Sequence, residues 1–170
     1  TSHSLPDEDI ITPGNWSVIP DTGNKGIQFG SILLRALLHK IVRAKDEQKT
    51  KIPILIIIDE VHQFYGTDSS REALGDLDRI CRTGRSKKIG VIFSSQTPED
   101  IPKGLSSVIN TKIFFKSDLT SARKYGLKIK PEEMELLKKG FAVGKIFEQS
   151  QLKLMKFPLS YSGVFEEVRK

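Results

Sequence analysis

Hydrophobic positions along the chain form two kinds of run. From Ile27 to about Ala44, apolar residues recur at helical spacing and form a broad face that predicts a buried helix. Residues 54–58 (ILIII) and 89–95 (IGVIFSS) are uninterrupted stretches of strand length. The absence of polar alternation in residues 54–58 is typical of a central parallel strand, so we expect that strand to be covered on both faces.

Two further helices are predicted from terminal signals. Ser69 and Glu72 have the spacing of a capping box, so a helix is expected to begin near Ser69. Residues 130–140 have Pro131 in the first turn, acids early, lysines late and Gly140 at the end, which predicts a compact helix.

Short apolar runs complete the pattern. Residues 16–20 and 109–116 are strand candidates, and residues 141–148 pair naturally with 151–158 as a closing C-terminal β-hairpin. Strands alternate with helices, so the predicted class is α/β, with a mainly parallel sheet flanked by helices.

The organisation expected is an irregular leader over residues 1–15, one domain over 16–158 and a C-terminal tail over 159–170. A chain of 170 residues has the size of one ordinary domain. Its single cysteine excludes an internal disulfide and favours a reducing, cytoplasmic setting. No apolar run approaches the length of a membrane span, so no membrane partner is expected.

Charge is unevenly distributed along the chain. Residues 1–80 carry 9 Lys/Arg against 12 Asp/Glu, whereas residues 81–170 carry 18 against 9. A basic half favours a polyanionic partner such as DNA or nucleotide phosphates. A solvated lysine-rich surface is the alternative that composition leaves open.

An acid pair, Asp59 and Glu60, directly follows the first aliphatic strand. Ligands of open α/β sheets bind outside the carboxyl ends of the strands, so these acids are placed to face a ligand. Four or more aliphatic residues followed by Asp-Glu is the Walker B pattern, in which the aspartate holds the Mg²⁺ shell of a nucleoside triphosphate and the glutamate polarises the attacking water. The alternative is a strand that merely ends in acids where it meets solvent.

Polar residues also end the second strand. Ser95 is a candidate nucleotide contact, and Gln96 has the position of a sensor that bridges the attacking water and the γ-phosphate. An ordinary polar loop is the alternative, since Ser, Thr and Pro are common turn residues.

Arg82 and Arg85 precede the second strand, at what should be the opposite edge of the sheet. From there they are poorly placed for their own nucleotide but suitable as an arginine finger for a neighbouring subunit. A basic loop or a phosphate-backbone contact is the alternative.

Taken together, residues 54–60, 84–102 and 109–116 resemble the C-terminal half of the motor domain of the HerA/FtsK superfamily, and most closely its HerA branch. The resemblance implies a partial RecA-like P-loop NTPase fold over residues 16–158. It also implies an ATP-driven DNA helicase or translocase that uses ATP and Mg²⁺, forms a ring hexamer, and acts with a nuclease partner.

The same resemblance assigns residue roles. Asp59 takes the metal role, Glu60 that of catalytic base, Gln96 that of sensor and Arg85 that of finger. The family usually has about two residues between the finger and the glycine that opens the sensor strand. Here Ser86 to Ile89 separate Arg85 from that glycine, so the choice between Arg82 and Arg85 stays open.

No Walker A motif, GxxxxGK followed by Ser or Thr, occurs among the thirteen glycines. We therefore expect this motif upstream of the chain, and we expect the isolated chain to be inactive and to self-associate through an exposed strand edge.

Two other interpretations remain. Residues 59–62 spell DEVH, the box of superfamily 2 helicases, although no second helicase domain or arginine-rich motif follows. The second interpretation is a basic α/β module that binds nucleic acid or a partner protein without hydrolysing ATP.

Overall fold

A computed structural model describes residues 13–14, 26–64, 70–96, 101 and 103–158. The strand predicted over residues 16–20, the capping residue Ser69, the tail over 159–170 and nearly all of the leader lie outside these ranges. The chain divides into two compact units, Thr1–Val108 and Ile109–Lys170. No helix in the described ranges is long and apolar enough to span a bilayer.

The first unit is built around a parallel strand pair with helices. Its elements are α1 (Gly26–Asp46), β1 (Ile54–Ile58), a 3-10 helix (Val61–Phe64), α2 (Ser70–Lys87), β2 (Ile89–Phe93) and α3 (Lys103–Val108).

Strands β1 and β2 pair in parallel along their full lengths, from Ile54 opposite Ile89 to Ile58 opposite Phe93. Their carboxyl ends therefore lie side by side. The uninterrupted aliphatic runs predicted both strands, and β1 has the predicted bounds.

Only one face of this strand pair is covered. Ile56 and Ile58 are buried, together with apolar residues of the two long helices such as Leu38 and Leu77. Leu55 and Ile57, which point to the other face, are 60% and 66% exposed. The expectation that β1 is covered on both faces is therefore wrong for the described part of the chain. The aliphatic run reflects a strand able to be buried on both sides, but it does not reveal whether this chain supplies both covering layers.

The second unit is built around an antiparallel sheet. Its elements are β3 (Lys112–Phe114), α4 (Leu119–Lys124), α5 (Pro131–Glu135), β4 (Phe141–Lys145) and β5 (Lys153–Lys156). The sheet order is β3-β4-β5, with both pairs antiparallel. The predicted closing hairpin is confirmed as β4 and β5, and the predicted third strand joins this hairpin.

The core of the second unit combines the sheet with the short helices above it. Its buried members are Phe114, Ala122, Leu127, Met134, Leu137 and Val143. Helix α5 is shorter than the segment predicted, because it ends at Glu135 with Leu136 as its C-cap. Gly140, predicted to stop that helix, has φ +83° and lies in the turn that enters β4.

Candidate active site

The hydrogen-bond ladder of the parallel pair continues past the ends of both strands. The Ser94 amide donates to the Ile58 carbonyl oxygen at 2.9 Å, and the Val61 amide donates to the Ser94 carbonyl oxygen at 3.0 Å. These bonds tie Ser94, the residue after β2, to Ile58 and Val61, which lie on either side of Asp59 and Glu60. The backbone at the carboxyl end of the sheet is thereby fixed where the acid pair lies.

Asp59 is oriented by this continuation of the ladder. Its Oδ1 accepts hydrogen bonds from the Ser94 hydroxyl and, at 3.1 Å, from the Glu60 amide. The Glu60 amide also lies 3.5 Å from the Ser94 Oγ. The second carboxylate oxygen of Asp59 takes part in neither bond, so the aspartate is held in one orientation while exposed to solvent.

Glu60 has an unusual backbone conformation. Its φ is +49°, in the left-handed region that residues other than glycine, asparagine and aspartate rarely adopt. Two hydrogen bonds donated by its amide, to the Asp59 Oδ1 and the Ser94 Oγ, hold this turn. The turn directs the half-buried side chain toward the end of β2. There the Gln96 Nε2 donates to the Glu60 Oε1 at 3.0 Å. Strained residues of this kind concentrate at functional sites.

The 3-10 helix after the acid pair is anchored in the core of the first unit. Val61 is fully buried, and the Ser31 hydroxyl of α1 donates to the Phe64 carbonyl oxygen. Both ends of the turn that contains Asp59 and Glu60 are therefore attached to regular structure.

Three of the predicted site residues thus lie together at the carboxyl end of the strand pair, namely Asp59, Glu60 and Gln96. The role of Ser95 as a nucleotide contact stays a prediction, and the hydroxyl that donates to Asp59 belongs to its neighbour Ser94. Ser95 is half-buried beside it. Ser94 is the first residue after β2, and extending the parallel register by one residue would have placed it opposite Asp59.

This donor set fits a hard cation. Magnesium prefers oxygen ligands and is usually bound through one or two carboxylates together with substrate phosphates and water. Asp59 and Glu60 offer carboxylate oxygens at the site. No group of three or more His, Cys, Asp or Glu residues converges in the described ranges. A cation here would therefore depend on phosphate oxygens and water for the rest of its coordination shell.

The two candidate finger arginines lie toward the other end of the strands. Arg85 is in the last turn of α2 and lines a shallow depression of about 460 Å³ with residues such as Pro53 and Gly90, near the amino ends of β1 and β2. A five-residue strand rises about 13 Å between its first and last residues. The opposite-edge placement expected from sequence is therefore observed for Arg85.

The two arginines differ in their partners. The Arg82 Nε lies 2.8 Å from the Asp78 Oδ2, and this hydrogen bond raises the pKa of the arginine further. Arg85 has no ion pair with any residue in the described ranges and is exposed. Of the two, Arg85 has the guanidinium that is available to an external phosphate.

Comparison with known proteins identifies the family. The sequence profile described as "Helicase HerA-like C-terminal" matches residues 29–119, which is more than half of the chain. The chain belongs to the HerA-like helicase C-terminal family. The resemblance inferred from the Walker B strand and the segments that follow it is confirmed, and family membership replaces the superfamily 2 interpretation.

Curated relatives include two named DNA double-strand break repair helicase HerA. The one from Sulfurisphaera tokodaii is 33% identical over 96 residues, covering 53% of this HerA-like chain and 19% of the relative. The one from Sulfolobus acidocaldarius is 29% identical over 111 residues, covering 62% of this chain and 22% of the relative. The chain thus spans about one fifth of the length of these relatives.

Solved structures support the fold. The genome packaging NTPase B204 of Sulfolobus turreted icosahedral virus 2, in complex with ATP-gammaS, aligns with a TM-score of 0.59 at 20% identity, covering 93% of this chain and 74% of that one. Its complex with AMPPCP aligns with a TM-score of 0.56 and covers 92% and 73%. The HerA-like chain therefore has an α/β P-loop NTPase fold.

Proposed function

We propose that the protein containing this HerA-like chain is an ATP-driven DNA translocase or helicase, and that the chain supplies its Walker B, sensor and arginine-finger residues. The observation that carries the proposal is the hydrogen-bonded set of Asp59, Glu60, Ser94 and Gln96 at the carboxyl ends of the parallel strands. The names of the relatives, which are DNA repair helicases, support the same activity.

Each residue has a distinct role in this proposal. Asp59, oriented by the Ser94 hydroxyl, would hold the water shell of Mg²⁺ through the carboxylate oxygen that does not accept this bond. Bound Mg²⁺ would neutralise charge on the phosphate oxygens. Glu60 accepts a proton from the attacking water, and its bond with Gln96 fixes the carboxylate until the γ-phosphate competes for the amide. Ser95 contacts the nucleotide beside them.

Arg85 is the proposed finger. It lies toward the opposite end of β2 from the acid pair and has no carboxylate partner in the described ranges, whereas Arg82 is bonded to Asp78. From that end it would reach the γ-phosphate bound by a neighbouring subunit of a ring hexamer. A guanidinium supplied in this way stabilises charge in the transition state.

The phosphate cradle is proposed to lie in a part of the protein outside this sequence. The 170 residues contain no Walker A motif and cover about one fifth of the HerA relatives. The chain alone is therefore expected to be inactive, and the basic residues 81–170 are expected to contact DNA phosphates. We also propose that the protein containing this chain acts with a nuclease partner and is located in the cytoplasm.

The central test replaces Glu60 with Gln in the protein containing this chain together with its Walker A segment. The variant should bind ATP while ATP turnover falls by about 10²–10⁴-fold, because Gln keeps the shape of the Glu60 side chain but cannot act as a general base. Glu135→Gln, which changes an exposed acid of α5 in the same way, should leave turnover unchanged. Undiminished hydrolysis by the Glu60 variant would contradict the proposal. DNA binding without hydrolysis by the unmodified protein would favour the non-catalytic module.

The finger is tested by mixing inactive subunits. Arg85→Ala and Glu60→Gln should each abolish turnover in uniform rings. Mixed rings should regain part of it, because an intact Arg85 on one subunit can then face an intact Glu60 on the next. Arg82→Ala should retain most activity. If mixing does not restore turnover, Arg85 does not act on the nucleotide of the neighbouring subunit.

A further inference from the structure

A groove in the second unit has a composition unlike that of the acid site. Its volume is about 1040 Å³, and it lies between the end of α5, one face of β4 and β5, and the loop over residues 149–152. Its apolar lining is mainly aliphatic, from Ile129, Leu136, Leu137, Val143, Leu152 and Leu154, with the single aromatic residue Phe141. It is large enough for several side chains of a bound segment.

Two leucines of this groove are unusually exposed. Leu136 is 77% exposed and Leu154 is 69% exposed, although they lie on different elements and line the same groove. Apolar side chains concentrated in a concave surface mark interaction sites more often than scattered ones do. Leu136 follows α5 without contributing to the buried core, whereas its neighbour Leu137 is buried there.

The groove is also positively charged. Lys128, Lys138 and Lys145 line it, and none of them forms an ion pair with a carboxylate in the described ranges. The one acid in the lining, Glu133, is engaged in the cap of α5, where its Oε2 accepts a hydrogen bond from the Lys130 amide at 2.9 Å. Three lysines beside an apolar floor favour an anionic ligand that also carries apolar groups.

Strand β5 adds an open backbone edge. It lies at the end of the sheet order and has no second strand partner in the described ranges. The Phe157 amide donates to the Gly140 carbonyl oxygen, so Lys153 and Met155 also direct their backbone groups toward β4 in the alternating ladder. The backbone groups of Leu154 and Lys156 therefore point outward, where an added strand would bind them.

Charge distinguishes among possible occupants of this edge. A second copy of β5, paired antiparallel through the outward groups of Leu154 and Lys156, would bring the two Lys156 side chains to diagonal positions on one face, which is unfavourable. Single-stranded DNA binds by stacking its bases on aromatic rings, and the one ring in the lining, Phe141, already has the Lys156 Nζ 5.8 Å from its centroid. An acidic segment with alternate apolar side chains fits the edge, the lysines and the aliphatic floor together.

We propose that the β5 edge and the adjoining groove bind an extended, acidic segment of a partner protein. The segment pairs with Leu154 and Lys156 through its backbone. Its alternate apolar side chains enter the groove against Leu136 and Leu154, and its carboxylates face Lys138 and Lys145. This binding is independent of ATP turnover.

The test is fluorescence anisotropy of the 170-residue chain with a labelled nine-residue peptide of alternating Glu and Val. Lys138→Glu and Leu136→Ser should each weaken binding about tenfold or more. Lys139→Glu, the adjacent exposed lysine outside the lining, and Ile113→Ser, an apolar residue 47% exposed on another part of the sheet, should change it less than about twofold. Circular dichroism verifies that each variant is folded.

Further probes separate the alternatives. N-methylation of the peptide amides that face β5 should abolish binding, while methylation of the alternate amides should not. The proposal is overturned if the peptide does not bind, if an all-Glu peptide binds equally well, or if oligothymidylate binds in its place and loses affinity in Lys138→Glu. It is also overturned if the chain dimerises through this edge and Leu136→Ser abolishes the dimer.

Discussion

The two compact units differ in how their sheets are completed. The parallel pair of the first unit leaves Leu55, Ile57 and Ile92 exposed on one face, each 50% exposed or more. The antiparallel sheet of the second unit packs Phe114 and Val143 into a closed core with nearby helices. Parallel sheets ordinarily have both faces covered, whereas antiparallel sheets tolerate one solvated face. The exposed face of the parallel pair is therefore the more unusual of the two, since such a face is ordinarily covered by further protein surface.

This difference extends to the chemistry. In the first unit, polar groups gather where parallel strands end, because all carboxyl ends meet at one edge. In the second, the exposed surface is the side of the last strand and the groove beside it. The first arrangement favours fixed side chains around a small ligand, and the second favours backbone pairing with another chain.

The largest expected effect contrasts two isoleucines on opposite faces of β1. Ile58→Ala should lower the free energy of unfolding by about 2–5 kcal/mol, because a side chain only 5% exposed is removed from the core. Ile57→Ala, 66% exposed, should change it by less than about 1 kcal/mol. Urea unfolding of the 170-residue chain measures both. In a longer protein that covers this face, the cost of Ile57→Ala should approach that of Ile58→Ala; equal costs in the isolated chain would remove the asymmetry described here.

A second pair of substitutions tests whether the core of the second, antiparallel unit is separate from that of the first. Leu127→Ala should destabilise by about 2–4 kcal/mol because Leu127 is fully buried, while Leu136→Ala should change stability by less than about 0.5 kcal/mol. Hydrogen exchange followed by mass spectrometry reports the two units separately. Loss of protection confined to residues 109–158 in Leu127→Ala would show that this core is local. Equal loss in both units would contradict the division.

A third pair compares two glycines of α2. A Cβ on Gly84 would lie 2.5 Å from the Ile89 carbonyl oxygen, so Gly84→Ala should destabilise by about 1–3 kcal/mol as helix and strand move apart. A Cβ added to Gly75 would meet no atom of another part of the chain within 4 Å, so Gly75→Ala should stabilise by about 0.5–1 kcal/mol through helix propensity. Thermal unfolding should resolve opposite signs. The same sign for both would mean that α2 does not contact β2 as described.

The smallest effect concerns Glu47, just after α1. Hydrogen bonds from Arg43 and then Lys49 lower its pKa from 4.5 to about 2. Because the folded-state pKa is the lower one, the stabilisation is present above pH 4.5 and is lost as the pH falls toward 2. Glu47→Gln should therefore be slightly less stable than the unmodified chain at pH 7 and equal to it near pH 2. Salt should reduce the difference, since the pair is exposed. Glu132→Gln, which has no ion pair in the described ranges, should show no such trend.

The elements that sequence predicted well are those with strong local signals. Strand β1 and the long helix α1 follow from their apolar patterns, and the hairpin follows from two short runs separated by polar residues. The cluster of Asp59, Glu60 and Gln96 followed from one geometric rule, that parallel strands end at the same edge. None of these required knowledge of distant contacts.

Other features could not be read from local patterns. The left-handed turn at Glu60 depends on a hydrogen bond that its amide donates to the Ser94 Oγ, 34 positions away, and no glycine marks it. Helix α5 ends early because Leu137 turns into the core of the second unit, although the lysines and Gly140 that follow resemble a helix end. The exposure of one face of β1 depends on which other elements cover the sheet, and the hydrophobic pattern of the strand itself does not contain that information.

The placement of Arg85 and the acid pair near opposite ends of one short strand pair gives the first unit a direction. If both groups serve one reaction, neighbouring subunits must meet head to tail, with unlike surfaces in contact. A two-fold dimer joins like surfaces and would leave the arginine of each partner facing away from the triphosphate it has to reach. Every site is completed only if each subunit is related to the next by the same rotation, as in a cyclic ring. The direction of a strand about 13 Å long would then determine the symmetry of the whole assembly.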